Sequence, residues 1–372
     1  MPVKCQTIIN FIEQLAPRSL AEEWDNVGLQ IGDRTQEIQG ILVALDLEPK
    51  VVAEAVALGA NLIITHHPVI FKPMKSIRAD LPQGKMILDT IKNDISVYCA
   101  HTNLDSAGEG VNQTLAELLQ LKDIRVLNPD KFENLCKLVF YVPESHLEPV
   151  RSAMTAVGAG WIGNYSDCTF SVQGTGTFKA TQGCTPFIGK VGILEQTPEI
   201  RLETIVTEKQ VNKVVKAAIG AHPYEEVAYD IYPLANRSNQ LGLGRVGELS
   251  APVSMEGFMD IVKNSLNVPA LKYTGDSQTV VRKVAVCGGS GASLIHLAVF
   301  SGVDVLLTGD IKYHEAQEAK ALGLNLIDAG HYATEYPIVM KLAELLANHC
   351  SGEGYGITVH STKMNYDIFS YY

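Results

Sequence analysis

Apolar residues along this chain gather in short continuous runs, separated by stretches with helical spacing. Residues 41–47 (ILVALDL) and 61–68 (NLIITHHP) are runs of strand length, the second stopped by Pro68. Runs that are apolar at nearly every position suit strands buried on both faces. Between them, 49–60 (PKVVAEAVALGA) has helical spacing and ends near Gly59; 84–94 reads as a helix, 95–105 as a strand running into a loop, and 110–121 as a helix. Strands alternating with helices predict parallel βαβ units.

The C-terminal part repeats this order. Residues 283–289 (KVAVCGG), 303–310 (VDVLLTGD) and 324–331 (LNLIDAGH) read as strands, with helices over 292–302, 311–323 and 334–349. VALDLEPKVVAEAVALGANLIITHH lies over VAVCGGSGASLIHLAVFSGVDVLLTGD with a two-residue shift, setting Thr-His-His against Thr-Gly-Asp. LAELL also occurs at 115–119 and 342–346. The shared order predicts an internal duplication. The middle differs: strand at 137–143, helix at 144–160, a Gly/Thr-rich hairpin around 168–180, then strand, helix and strand over 201–234. That order predicts a ferredoxin-like α+β insert. The expected domains are 1–130 and 236–372, the halves of a duplicated α/β core, with the insert at 131–235.

At 372 residues and 46% hydrophobic, the chain is long enough for more than one core. Its N-terminal segment reads as an amphipathic helix carrying Glu13, not as a signal peptide, and no run is long enough to span a membrane, so a cytoplasmic protein is expected. Seven cysteines without a CxxC pair speak against a disulfide scaffold and a thiolate zinc site. The net charge of −11 makes a broad nucleic-acid surface unexpected. Its excess lies in the outer segments, at −6 and −4, against −1 for residues 131–240.

Those outer segments also hold metal-type residues. His66 and His67 close a predicted strand, where successive side chains point to opposite sides and reach two neighbouring ions more readily than one. The carboxyl ends of strands are where α/β sheets form sites. Asp105 and His101 follow the next strand, and His331 and Glu335 follow the last core strand at i, i+4. His66, His67, Asp105, His331 and Glu335 offer three nitrogens and two carboxylates able to bridge, a set suited to two divalent ions, zinc foremost, with manganese or iron compatible. His101 reads as a supporting group or a loop residue. Asp310 and His314 lie at the repeat-equivalent strand end and are candidates for acid–base work or for holding the ligand imidazoles in place, with a helix cap and an exposed imidazole as the plain alternative. Asp25 and Asn26 of WDNVG are loop residues able to approach the site, Gly288–Gly291 resembles a phosphate cradle, and HPYEE (222–226) is a turn or a binding motif.

WDNVGLQIGD, THHP, AHTNLD, TGDIKYHEA and GHYATE together resemble the GTP cyclohydrolase I type 2 family, also called NIF-three-like, over about 260 residues of the two outer segments. The insert is similar to the PII/CutA-like domain of its longer bacterial members. The resemblance implies a duplicated α/β core, two metal ions held by His66, His67, Asp105, His331 and Glu335 with both carboxylates bridging, and a toroidal homohexamer. It implies ring opening of a purine nucleotide, GTP, with release of formate. The alternative is a non-enzymatic metal-binding regulatory or adaptor protein whose insert senses a ligand.

Overall fold

The computed structural model describes residues 2–370 apart from Arg237 and Asn239. It is a mixed α/β protein that divides into two units. Unit 1 joins the residues up to Lys131 to those from Leu241 onward, and unit 2 is Phe132–Gln240. The turn-rich residues after the last strand of the insert, Tyr229–Leu234, thus group with unit 2, where the sequence placed the boundary at 235.

Among the described residues, unit 1 contains two large sheets beside the small pair Val3–Lys4 with Glu37–Ile38. In the first, Thr358–Ser361, Gly40–Ala44, Leu62–Thr65 and Ser96–Cys99 run parallel in that order, and Gly28–Ile31 closes the edge antiparallel. In the second, Asn325–Asp328, Val305–Gly309 and Val280–Ser290 form the parallel centre. Lys272–Thr274 flanks it on one side and Arg245–Ser254, then Lys122–Val126, on the other, all antiparallel. The central strands Gly40–Ala44, Leu62–Thr65, Ser96–Cys99, Val305–Gly309 and Asn325–Asp328 are buried at every position. Helices Pro49–Leu58 and Pro82–Lys92 link the strands of the first sheet, as Ile295–Phe300 and Tyr313–Ala321 link those of the second. Each buried Ile, Leu or Val contributes about 1.5–3 kcal/mol. That burial fixes the strand ends, and the strand ends carry the site.

Unit 2 runs strand, helix, strand, strand, helix, strand. Its four-stranded antiparallel sheet has the order Thr169–Lys179, Leu194–Thr207, Leu135–Val142, Tyr229–Leu234. Helices Leu147–Ala156 and Val211–Ala221 pack on it through Val150, Met154, Val214 and Ala218. Among the described residues no helix is long and apolar enough to cross a membrane.

Candidate metal centre

Four imidazoles converge where the two sheets of unit 1 end, and each is held by its Nδ1. His66 Nδ1 bonds the Ala100 carbonyl at 2.9 Å, His67 Nδ1 bonds Asp46 at 2.8 Å, His101 Nδ1 bonds Asp25 at 2.9 Å, and His331 Nδ1 bonds Asp310 at 2.7 Å. A ring that donates from Nδ1 to a carboxylate or carbonyl presents the Nε2 lone pair to a metal, the usual arrangement around metal-binding histidines. The Nε2 atoms of His67 and His331 lie 3.2 Å apart, and both face Glu335 Oε2, at 2.9 and 3.0 Å.

Glu335 is buried at the junction. Its Oε2 serves His67 and His331, while its Oε1 lies 3.7 Å from His66 Nε2, which in turn is 3.6 Å from Asp105 Oδ1. Those two separations exceed a hydrogen bond. They are close to the roughly 3.4 Å between neighbouring donors of a tetrahedral site with bonds near 2.1 Å. His66 Nε2 and Asp105 Oδ1 are buried and have no hydrogen-bond partner. Orphaned buried polar atoms of this kind are rare and point to a missing ion or water. Among the described residues, three groups of side chains could each hold a metal ion: His67, His331 and Glu335; His66, Asp105 and Glu335; and His66, His67 and His101. Glu335 is common to the first two, whereas Asp105 enters only one. The donor set therefore fits divalent cations, with Glu335 placed to bridge.

Charge follows the same geometry. Burial would lower the pKa of His67, but its bonds to Asp46 and Glu335 outweigh it and raise it to about 10. His331 rises to about 9, chiefly through its bond to Glu335. Burial pushes the Asp105 carboxyl up. Burial acts on Glu335 in the same direction, but the surrounding imidazoles override it and hold Glu335 well below the usual carboxylate range. Burial likewise opposes ionisation of Asp25, yet the bonds from His101 and Thr102 keep it below that range.

The sequence read Asp105 as lying in a loop. It lies instead in the short helix Thr102–Ser106, whose cap is His101. His101 and Asp105 thus repeat the i, i+4 pair of His331 and Glu335 in the helix His331–Glu335. The equal spacing of HTNLD and HYATE was the available signal. Asp25 anchors this first pair through Thr102 as well, accepting its N–H at 3.0 Å and its hydroxyl at 2.5 Å.

Asp310 joins the site as the support of His331 and lines a cavity of about 970 Å³ beside His67, His331 and Asp46. His314 is not brought to the cluster. The chain turns at Asp310, with φ of 55°, before helix Tyr313–Ala321 begins, leaving His314 exposed with its ring 3.5 Å from Gln317. Gly288–Gly291 is not an open phosphate cradle either. The N–H groups of Gly288, Gly289 and Gly291 donate inward to Asn112, Thr334 and Thr308 at 2.9, 3.0 and 2.8 Å. The turn instead makes room: a Cβ on Gly289, whose φ is +60°, would stand 2.1 Å from Glu335 Oε1.

The fold and site together define a mixed α/β protein with a histidine–carboxylate cluster at matching strand ends. The chain belongs to the Duf34/NIF3 (NGG1p interacting factor 3) family, whose sequence profile matches residues 3–367. It is 47% identical over 368 residues to the GTP cyclohydrolase 1 type 2 homolog of Halalkalibacterium halodurans, covering 98% of each chain. It is 43% identical over 371 residues to the protein of the same name from Bacillus subtilis, covering 99% of each. The crystal structure of a Bacillus cereus protein related to NIF3 superposes with a TM-score of 0.89 at 44% identity, covering all of both chains.

Proposed function

We propose that the chain is a metal-dependent hydrolase whose centre takes two divalent ions, zinc foremost, with Glu335 serving both. The supporting observation is the split contact of Glu335: one oxygen toward His67 and His331, the other toward His66 and Asp105. Bound there, divalent ions bring the pKa of water to about 7 and polarise an electrophile. The chain's own residues do the rest. Asp46, Asp25, Asp310 and the Ala100 carbonyl fix the imidazoles so that no ring has to reorient during turnover. Asp310 has one oxygen taken by His331, and the other can take up or deliver a proton in the cavity. That favours Asp310 over His314 as the proton carrier.

The relatives' name supports a purine nucleotide as substrate, with one water adding at C8 of guanine to open the imidazole portion to a formamide and a second water hydrolysing that formamide to an amine and formate. The element order of unit 2 supports its reading as a ferredoxin-like, PII/CutA-like domain. A cytoplasmic homohexamer goes with this reading, and light scattering should give six times the chain mass of 40.4 kDa. The deciding experiment measures formate released from GTP by metal-loaded wild type and by Glu335→Ala. Formate from the first and none from the second supports the reading. No formate from wild type, with metals bound, rejects the cyclohydrolase and leaves the regulatory protein.

A further inference from the structure

The HPYEE stretch takes no part in the metal centre. Within unit 2 it builds one wall of a separate cavity of about 380 Å³. His222 is buried and fixes this stretch through both ring nitrogens. Its Nε2 donates to the Tyr141 carbonyl at 3.0 Å, and its Nδ1 accepts the Tyr224 N–H at 3.1 Å. Tyr224, so held, donates its hydroxyl to Glu199 at 3.0 Å and stands beside two more rings, Phe187 at 6.1 Å and Phe178 at 6.5 Å between centroids. Glu225 accepts the Thr185 N–H with its two oxygens at 3.2 and 3.1 Å, tying the 180–193 loop to the same wall.

Two details bear on what enters. Glycine inside a strand is costly unless the space is used. Gly176 sits in the strand Thr169–Lys179, where a Cβ would stand 2.0 Å from Glu199 Oε2, so the glycine keeps that oxygen clear. Glu226 also lines the cavity and has no hydrogen bond or ion pair with another described residue, and no Lys, Arg or His is part of the lining. Three carboxylates in a lining without a lysine or arginine repel an anion, the nearest imidazoles being His222 behind Tyr224 and His146 against the Phe187 ring at 5.6 Å. A bare metal ion would leave the rings unused, and a neutral apolar molecule would leave the carboxylates unused. A compact ammonium ion on an apolar body satisfies both, because aromatic faces and carboxylates each attract a cation. A volume of this size suits a small ligand.

We propose that unit 2 carries a binding site for a small organic cation, seated on Phe178, Phe187 and Tyr224 with Glu199 and Glu226 as its counter-charges. Calorimetric titration of the full chain with 2-phenylethylammonium, and with the uncharged isostere 2-phenylethanol, tests this. The ammonium should bind saturably, one per chain, and the alcohol about tenfold more weakly. Glu226→Gln, which removes no hydrogen bond or ion pair among the described residues, and Glu199→Gln should each weaken the ammonium several-fold while leaving the alcohol unchanged. Equal affinity for the two probes, absence of saturable binding, indifference to both variants, or stoichiometric displacement by Mn²⁺ in wild type would each overturn the proposal.

Discussion

In the first half of unit 1 the strand Leu62–Thr65 ends in His66 and His67; in the second half the matching strand Val305–Gly309 ends in Gly309 and Asp310. One strand further along, the halves agree, with His101 and Asp105 facing His331 and Glu335 across the site. The first half therefore brings three imidazoles and Asp105, and the second brings His331 and Glu335, the carboxylate that faces both donor groups. Sterics account for part of this difference. A Cβ at Gly309 would stand 2.8 Å from the backbone of Gly330 and His331, so no counterpart of His66 fits there. The counterpart of His67, Asp310, serves as the acceptor for His331 instead. In the first half that acceptor role falls to Asp25, on a segment before the repeat begins. Two strand–helix frames end alike and divide the donors between them.

The comparison breaks most severely at Gly289. Gly289→Ala places a methyl against Glu335 and should abolish binding of both metals, read as metal content after gel filtration. Gly302, also in the second half and also at positive φ, has open space within 4 Å of where a Cβ would stand. Gly302→Ala should cost about 1–2 kcal/mol of stability and retain the metals. Equal metal content in the two variants would remove the steric role of Gly289.

The supporting aspartates give a smaller effect and separate the halves. Asp25→Asn and Asp310→Asn should each lower metal affinity about 10- to 100-fold in a competitive chelator titration. The Asp25 side chain is fully buried and bonded to Thr102, whereas that of Asp310 is 51% exposed. Only Asp25→Asn should also lower the melting temperature of metal-free protein. A matching drop for Asp310→Asn would show that both aspartates are structural.

Excision of unit 2 should change least. Leu127 and Asn128 donate to the carbonyls of Gly244 and Leu243 at 3.2 and 3.0 Å, so unit 1's chain ends meet without the insert. Replacing residues 132–240 with a short Gly/Ser linker should leave a folded protein with wild-type metal content, checked by circular dichroism and metal analysis. An insoluble or metal-free product would make unit 2 part of the core.

The central strands were legible because they are buried on both faces, which turns ILVAL and VLL into continuous runs. Gly28–Ile31 and Lys122–Val126 were not, because these antiparallel edge strands are only partly buried and carry Gln, Lys, Asp and Arg. The ligand types at strand ends pointed to His66, His67, Asp105, His331 and Glu335. Asp310 was legible as a holder of a ligand imidazole and Asp25 as a residue able to approach the site, but not which ring each serves: Asp25 and His101 are 76 residues apart, and Asp46, the partner of His67 from 21 residues away, was missed. For His314 and the Gly288–Gly291 turn the sequence left a functional and a plain reading open, because it gives proximity along the chain but not which groups a turn has already satisfied; the structure has His314 exposed and the glycine N–H groups turned inward.

The claim that the halves form one centre rests on Glu335. Metal analysis of Glu335→Ala beside wild type tests it directly. Two divalent ions per chain in wild type and none in the variant is the expected result, because Glu335 faces both donor groups. Full retention, or clean loss of one ion with the other held at wild-type affinity, would contradict a shared bridge.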